Sequence, residues 1–156
     1  MMSVIVRTAA RVLLLFISVY GIYIVANGHL TPGGGFQGGV VIATGFMLVL
    51  LGYGKSAEEV FREAKLGLSE NAGSIVYVSV GFVGLLSGGA FLQNKGVFPL
   101  GNLYDMWSAG FMPTLNYAIG AKVTAGIATI ALMFLALVWK DEKDEAVGGR
   151  AEEATK

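Results

Sequence analysis

Residues 4–26 read VIVRTAARVLLLFISVYGIYIVA, with Arg7 and Arg11 in the opening turns and no other charge. A bilayer hydrocarbon core about 30 Å thick asks for roughly 20 apolar residues in a helix. The stretch therefore reads as a membrane span. A cleaved signal peptide is the rival reading. The apolar run is too long for one, and no small-x-small cleavage site follows it. Three further stretches share this character, at 35–53, 74–92 and 116–139. On this reading the fold is all-α, an integral membrane four-helix bundle, with residues 1–140 forming the membrane domain. Composition agrees: 54% of the 156 residues are hydrophobic and 14% are charged, where an average soluble domain carries about 25% charge. The 23 glycines also suit membrane helices, which use glycine for close packing.

The spread of positive charge orients the bundle. Arg7 and Arg11 precede or open the first span, and Lys55, Arg62 and Lys65 lie between the second and third. Lys140, Lys143, Arg150 and Lys156 close the chain, while the other two loops hold only Lys95. By the positive-inside rule both termini and the middle loop are cytoplasmic, N-in and C-in. Tyr53 and Trp139 fall at inner ends and Tyr20, Tyr23 and Trp107 near outer ends, where interfacial aromatics belong. In the middle loop Ser56-Ala57-Glu58-Glu59 reads as a capping box. Glu58 and Arg62 stand at i,i+4, and Val60, Phe61, Ala64 and Leu68 share a face. A short cytoplasmic amphipathic helix ending at Gly67 is expected there, lying on the membrane surface. The tail 141–156 is charged and poor in apolar residues, so no fixed structure is expected of it.

Several function classes are closed. Net charge is zero, which gives no electrostatic support for nucleic-acid binding. With no cysteine there is no thiolate zinc site or iron–sulfur cluster in this chain, and His29, the sole histidine, cannot hold a metal alone. The expectation is a chain without a cofactor or metal of its own.

The segment from Asn27 to Gly39, NGHLTPGGGFQGG, is the most informative. Thr31 fits an N-cap and Pro32 a first helical position, which opens the second helix on the outer side. Gly33, Gly34 and Gly35 leave its first turn bare of side chains. Gly33-x-Gly35-x-x-Gly38 matches the dinucleotide-binding pattern, but no strand precedes it and a membrane helix follows, so the match is accidental. Close helix packing through Gly34-xxx-Gly38 and Gly35-xxx-Gly39 is one reading. Packing together with a role in ion or water access is the other.

A His followed by Pro-Gly-Gly-Gly-Phe-x-Gly-Gly, from His29 through Pro32, Phe36 and Gly39, resembles the B subunit of Mrp (Mnh) multisubunit Na+/H+ antiporters. The four spans, the charged loop after Tyr53 and the run Asn116 to Val123 fit the same family, so the resemblance covers roughly residues 5 to 140. It implies a small non-catalytic membrane subunit that supports coupled Na+ and H+ translocation. Its partners would be A-, C- and D-type membrane subunits, in a stand-alone antiporter or in the antiporter-like arm of an archaeal membrane-bound hydrogenase or sulfur reductase. The large companions, related to subunits of respiratory complex I, would carry the main proton channels.

Among single residues, Lys122 is the only ionisable group expected well inside a span, about 9 Å below the outer end of helix four at 1.5 Å per residue. It either snorkels to the interface or faces another subunit or a water path. Thr124, two residues on, is expected to point away from it and to tolerate valine. His29 is a hydrogen-bonding helix-end residue or a titrating group at the mouth of an ion path. Asp105 is the only outer acidic residue, solvated or on the ion path. Arg7 and Arg11 are explained by lipid phosphates. Gly84-xxx-Gly88 in helix three, with Gly81 and Gly89, suggests a tight helix–helix contact, as do Gly120 and Gly126 in helix four. Two other classes are weighed: an autonomous small four-helix cation transporter and a pure structural scaffold. The former needs a membrane-buried carboxylate, and all eleven acidic residues fall outside the expected spans.

Overall fold

The computed structural model describes residues 4–30, 33–54, 63–102 and 108–153. Four helices carry the fold: α1 (Val4–Ala26), α2 (Gly34–Tyr53), α3 (Glu63–Leu86) and α4 (Met112–Glu153). Each contains a stretch long and apolar enough to cross a membrane: Val4–Ala26, Gly34–Tyr53, Gly67–Leu86 and Met112–Lys140. The described residues include no strand.

The packing order is α1–α2–α4–α3, with α2 and α4 in the middle and only a light contact between α1 and α4. Glycine sets both main seams. Gly38, Gly45 and Gly52, spaced by sevens along α2, meet α1: Gly38 lies against Gly21 and Val25, Gly45 against Leu14 and Ile17, and Gly52 against Ala10. Residue numbers rise on one helix as they fall on the other, so this pair is antiparallel. A seven-residue repeat is what keeps one seam facing one partner. The α4 seam uses the other face. Gly35 meets Asn116, Gly39 meets Gly120 and Val123, and Leu50 packs with Ala131 and Leu132. Here numbers rise together, so α2 and α4 cross in the same direction. Helix α3 then lies antiparallel on α4, with Gly73 against Ala118 and Lys122.

Five boundaries differ from the sequence reading. Helix α2 is capped by Gly33 at φ 143°, with no side-chain cap bond. Thr31 is thus not the N-cap, and both Thr31 and Pro32 lie outside the described residues. Gly33 and Gly34 both take positive φ, a turn that a side chain would strain. Helix α3 ends at Leu86 instead of 92, because Gly88 (φ 80°) breaks it and the chain folds back. The Phe91 ring then covers Gly81 and meets Phe82 edge-on at 6.2 Å. Helix α3 also starts earlier than 74, and Gly67 lies inside it instead of ending a separate surface helix. The remainder of that expected amphipathic helix, 56–62, lies outside the described residues. Helix α4 starts at Met112, with the buried Pro113 in its first turn, where the missing N–H costs no helical bond. It then continues to Glu153, where the sequence reading expects no fixed structure. The Ala, Glu and Lys residues of that stretch are strong helix formers and prolong the helix beyond the span.

Candidate functional site

The glycine-rich opening of α2 is a three-way backbone junction. A Cβ on Gly39 would stand 2.7 Å from the Gly120 carbonyl oxygen, and one on Gly38 would stand 2.9 Å from that of Gly21. A Cβ on Gly35 would collide with the Asn116 carbonyl. Gly34 serves a different purpose from the expected packing pair with Gly38. It takes the positive φ, beside the Gly28 carbonyl and the Asn116 side chain. Thr124 completes the junction. Its Oγ1 hydrogen is shared between the Gly120 carbonyl at 2.8 Å and the Gly39 carbonyl of α2 at 3.1 Å. Thr124 therefore does not stand idle, as the sequence reading expects, but ties α4 to α2. Phe36 is 61% exposed on the outside of the bundle. Below the junction a cavity of about 400 Å³ lies among Ile22, Ile42, Phe46, Tyr117 and Ala121. Its walls are mainly apolar, with Ser69, Tyr117 and Thr124 the polar residues of the lining.

Lys122 lies on the far side of α4. With the helix starting at Met112, it stands ten residues in, about 15 Å along the axis at ~1.5 Å per residue. That is deeper than the sequence reading places it, because the first turn of α4 is not legible there. Its side chain is exposed on the surface of this chain. The ammonium donates to Ser74 Oγ of α3 at 2.8 Å, and Ser74 in turn donates to the Glu70 carbonyl at 3.2 Å. The geometry is a short relay across the α3–α4 seam. A lysine near the bilayer centre costs about 2.5–3.5 kcal/mol unless it is paired or hydrated. The head group turns to Ser74 of the neighbouring helix α3.

Glu70 corrects a second expectation. It belongs to the candidate span Gly67–Leu86, so one carboxylate does fall within a span. It stands near that span's end, about 4.5 Å in from Gly67 at ~1.5 Å per residue. A Glu and an Asn so close to the charged loop make 74 look like the start of the span, which is why the sequence alone hides it.

The other candidates scatter. His29 is half-buried in the turn after α1, far along the chain from the Lys122 relay. Asp105 and Trp107 lie outside the described residues. Arg7 and Arg11 lay their guanidinium groups over the Tyr53 ring, at 5.5 and 5.1 Å from its centroid. A cation–π clasp thus joins the start of α1 to the end of α2. Gly84 and Gly88 form no helix–helix contact. Gly84 admits the returning chain at Ala90 and Gln93, while Gly88, outside the helix, faces open space, with nothing within 4 Å of where a Cβ would stand. Gly120 packs as expected, whereas Gly126 is open. Among the described residues no three His, Asp or Glu side chains stand together as a metal site would need.

What this arrangement can do is hold three helices at backbone contact and present one cation at membrane depth. Residues 5–129 match the family model described as a domain related to the MnhB subunit of Na+/H+ antiporter. An uncharacterized protein of Methanocaldococcus jannaschii is 39% identical over 72% of this chain and 45% of its own length. A Staphylococcus haemolyticus protein named for an antiporter subunit, mnhB2, is 28% identical over 81% of this chain and 93% of its own. Among solved structures, a chain of the membrane-bound sulfane sulfur reductase, an archaeal respiratory membrane complex, is 34% identical. It superposes with a TM-score of 0.68 over 84% of this chain and 57% of its own. The match thus spans about half the length of the archaeal relatives. With the family model covering most of the chain and reaching into all four spans, this protein belongs to the MnhB-related family of Na+/H+ antiporter subunits.

Proposed function

We propose that this chain is a non-catalytic membrane subunit of an Mrp-type Na+/H+ antiporter module, supporting coupled Na+ and H+ translocation carried mainly by A-, C- and D-type companions. The observation that carries the reading is the α2 junction. The family match takes in Gly33–Gly39 and the Gly120 and Thr124 that receive it. Among the described residues, these close the bundle against itself around an apolar interior. The single described carboxylate within the spans sits at an end, so proton and cation exchange by this chain alone has little to work with. Likeness to the sulfane sulfur reductase chain at 34% identity favours the arm of an archaeal respiratory complex over a stand-alone antiporter. A tagged chain purified from native membranes should bring further multi-span subunits with it in fixed proportion. A chain that purifies by itself under mild detergent would contradict the proposal.

Both termini face the cytoplasm in this proposal, from the Lys and Arg asymmetry. Lys95, exposed in the α3–α4 connection, is a better probe than Asn94, whose side chain brackets Ala109 and Phe111. An impermeant thiol reagent applied to intact cells should label Lys95→Cys and spare Ser56→Cys. The reverse pattern would invert the topology.

A further inference from the structure

Helix α3 is the least apolar of the four spans and packs chiefly on α4. Within Gly67–Leu86 it carries Ser69, Glu70, Asn71, Ser74 and Ser79, with Ser69, Asn71 and Ser79 exposed. Lipid offers those groups no hydrogen bond. Of these, Ser74 lines a groove of about 310 Å³ between α3 and α4, walled by Gly73, Tyr77, Val78, Ala118 and Ile119 and shared with Lys122, whereas Ser69 and Ser79 line other cavities. A Cβ at Gly73 would stand 2.7 Å from the Ala118 oxygen and 3.1 Å from the Lys122 Cβ. The helices therefore meet tightly below the groove, and the lysine stem is turned to its open side. Among the described residues the Lys122 ammonium donates to one acceptor, a neutral hydroxyl.

We infer that this groove seats a transmembrane helix of a partner subunit that presents a carboxylate to the Lys122 ammonium. The inference rests on the multisubunit reading above and names which face of the chain the partner covers. Three alternatives for the counter-charge fail on position or chemistry. Lipid phosphates lie at the interface, about 15 Å along the axis from Lys122 at 1.5 Å per residue. A water path asks for polar walls, and most of the groove lining is aliphatic or aromatic. Glu70 stands one turn beyond Ser74, and its link to the relay is its backbone carbonyl. A cation at that depth in a membrane wants an opposite charge, and a neighbouring span is the remaining source.

The test uses the intact complex in native membranes. Benzoylphenylalanine replaces Val78, which is exposed and lines the groove, and the adduct is mapped by mass spectrometry. The expected product joins Val78 to a span of another subunit that has an Asp or Glu within one turn of the attachment point. Lys122→Glu should then lower the yield of assembled complex at least about tenfold, and exchange of the mapped acidic residue for lysine should restore it. Adducts to lipid alone, a partner span without an acidic residue, or restoration by Glu70→Lys would each overturn the inference. Thiol labelling of Val78→Cys by a soluble reagent would do the same, since it places water in the groove. If no further subunit accompanies the chain at all, the multisubunit reading fails, which is a result distinct from these.

Discussion

Thr124 holds α4 to α2 through a single hydroxyl hydrogen. Its bond to the Gly120 carbonyl is the ordinary local one, while the second, to Gly39, exists only because glycine lets α2 come so near. Thr124→Val keeps the shape and removes that donor. It should destabilise the purified chain by about 0.5–1.5 kcal/mol, read as a lower melting temperature in detergent. An unchanged melting temperature would show that the hydroxyl spends itself on Gly120. Nothing in the sequence marks Thr124, because a threonine in a membrane helix usually bonds its own backbone, as Thr44 does here. Ser74 is hidden in the same way, behind serines such as Ser87. Lys122 is legible in any reading, because a lone charge in an apolar run is conspicuous.

At the scale of helices, the glycines sort by what faces them. Gly39→Ala and Gly126→Ala separate the cases. The first forces a methyl to 2.7 Å from the Gly120 oxygen, whereas the second meets nothing within 4 Å. Overpacking typically costs about 1–3 kcal/mol, while helical Gly→Ala in open space gains about 0.5–1 kcal/mol. The two variants should therefore move the melting temperature in opposite directions. Equal shifts would mean the α2–α4 seam is looser than described. Spacing by four draws attention to Gly34, Gly35, Gly38 and Gly39, and three of those four do pack. The heptad Gly38, Gly45 and Gly52 is harder to see, because Gly39 and the glycine cluster before it draw the eye to the spacing by four. Gly84 and Gly88 mislead, since spacing cannot reveal that a helix stops between them.

For the whole molecule, composition and span length are enough to give four membrane helices, because the bilayer leaves a chain so few ways to satisfy its backbone. Which helix packs on which is beyond the sequence, since order in space follows from contacts between distant segments. The resulting arrangement has a closed seam on one side of α4 and, on the other, an open and mostly apolar groove that holds Lys122 and Ser74. A closed bundle with an uncovered cation is a part, and a part of this kind should be inactive alone. The purified chain and the complex it accompanies are reconstituted into separate liposomes, and a Na+ gradient is applied with a pH-sensitive dye inside. A sodium-driven pH change is expected with the complex, and the rate of protein-free liposomes with the chain. Exchange of Na+ for H+ by the chain alone, at a rate near that of the complex, would show that this chain is a transporter in its own right and no mere subunit.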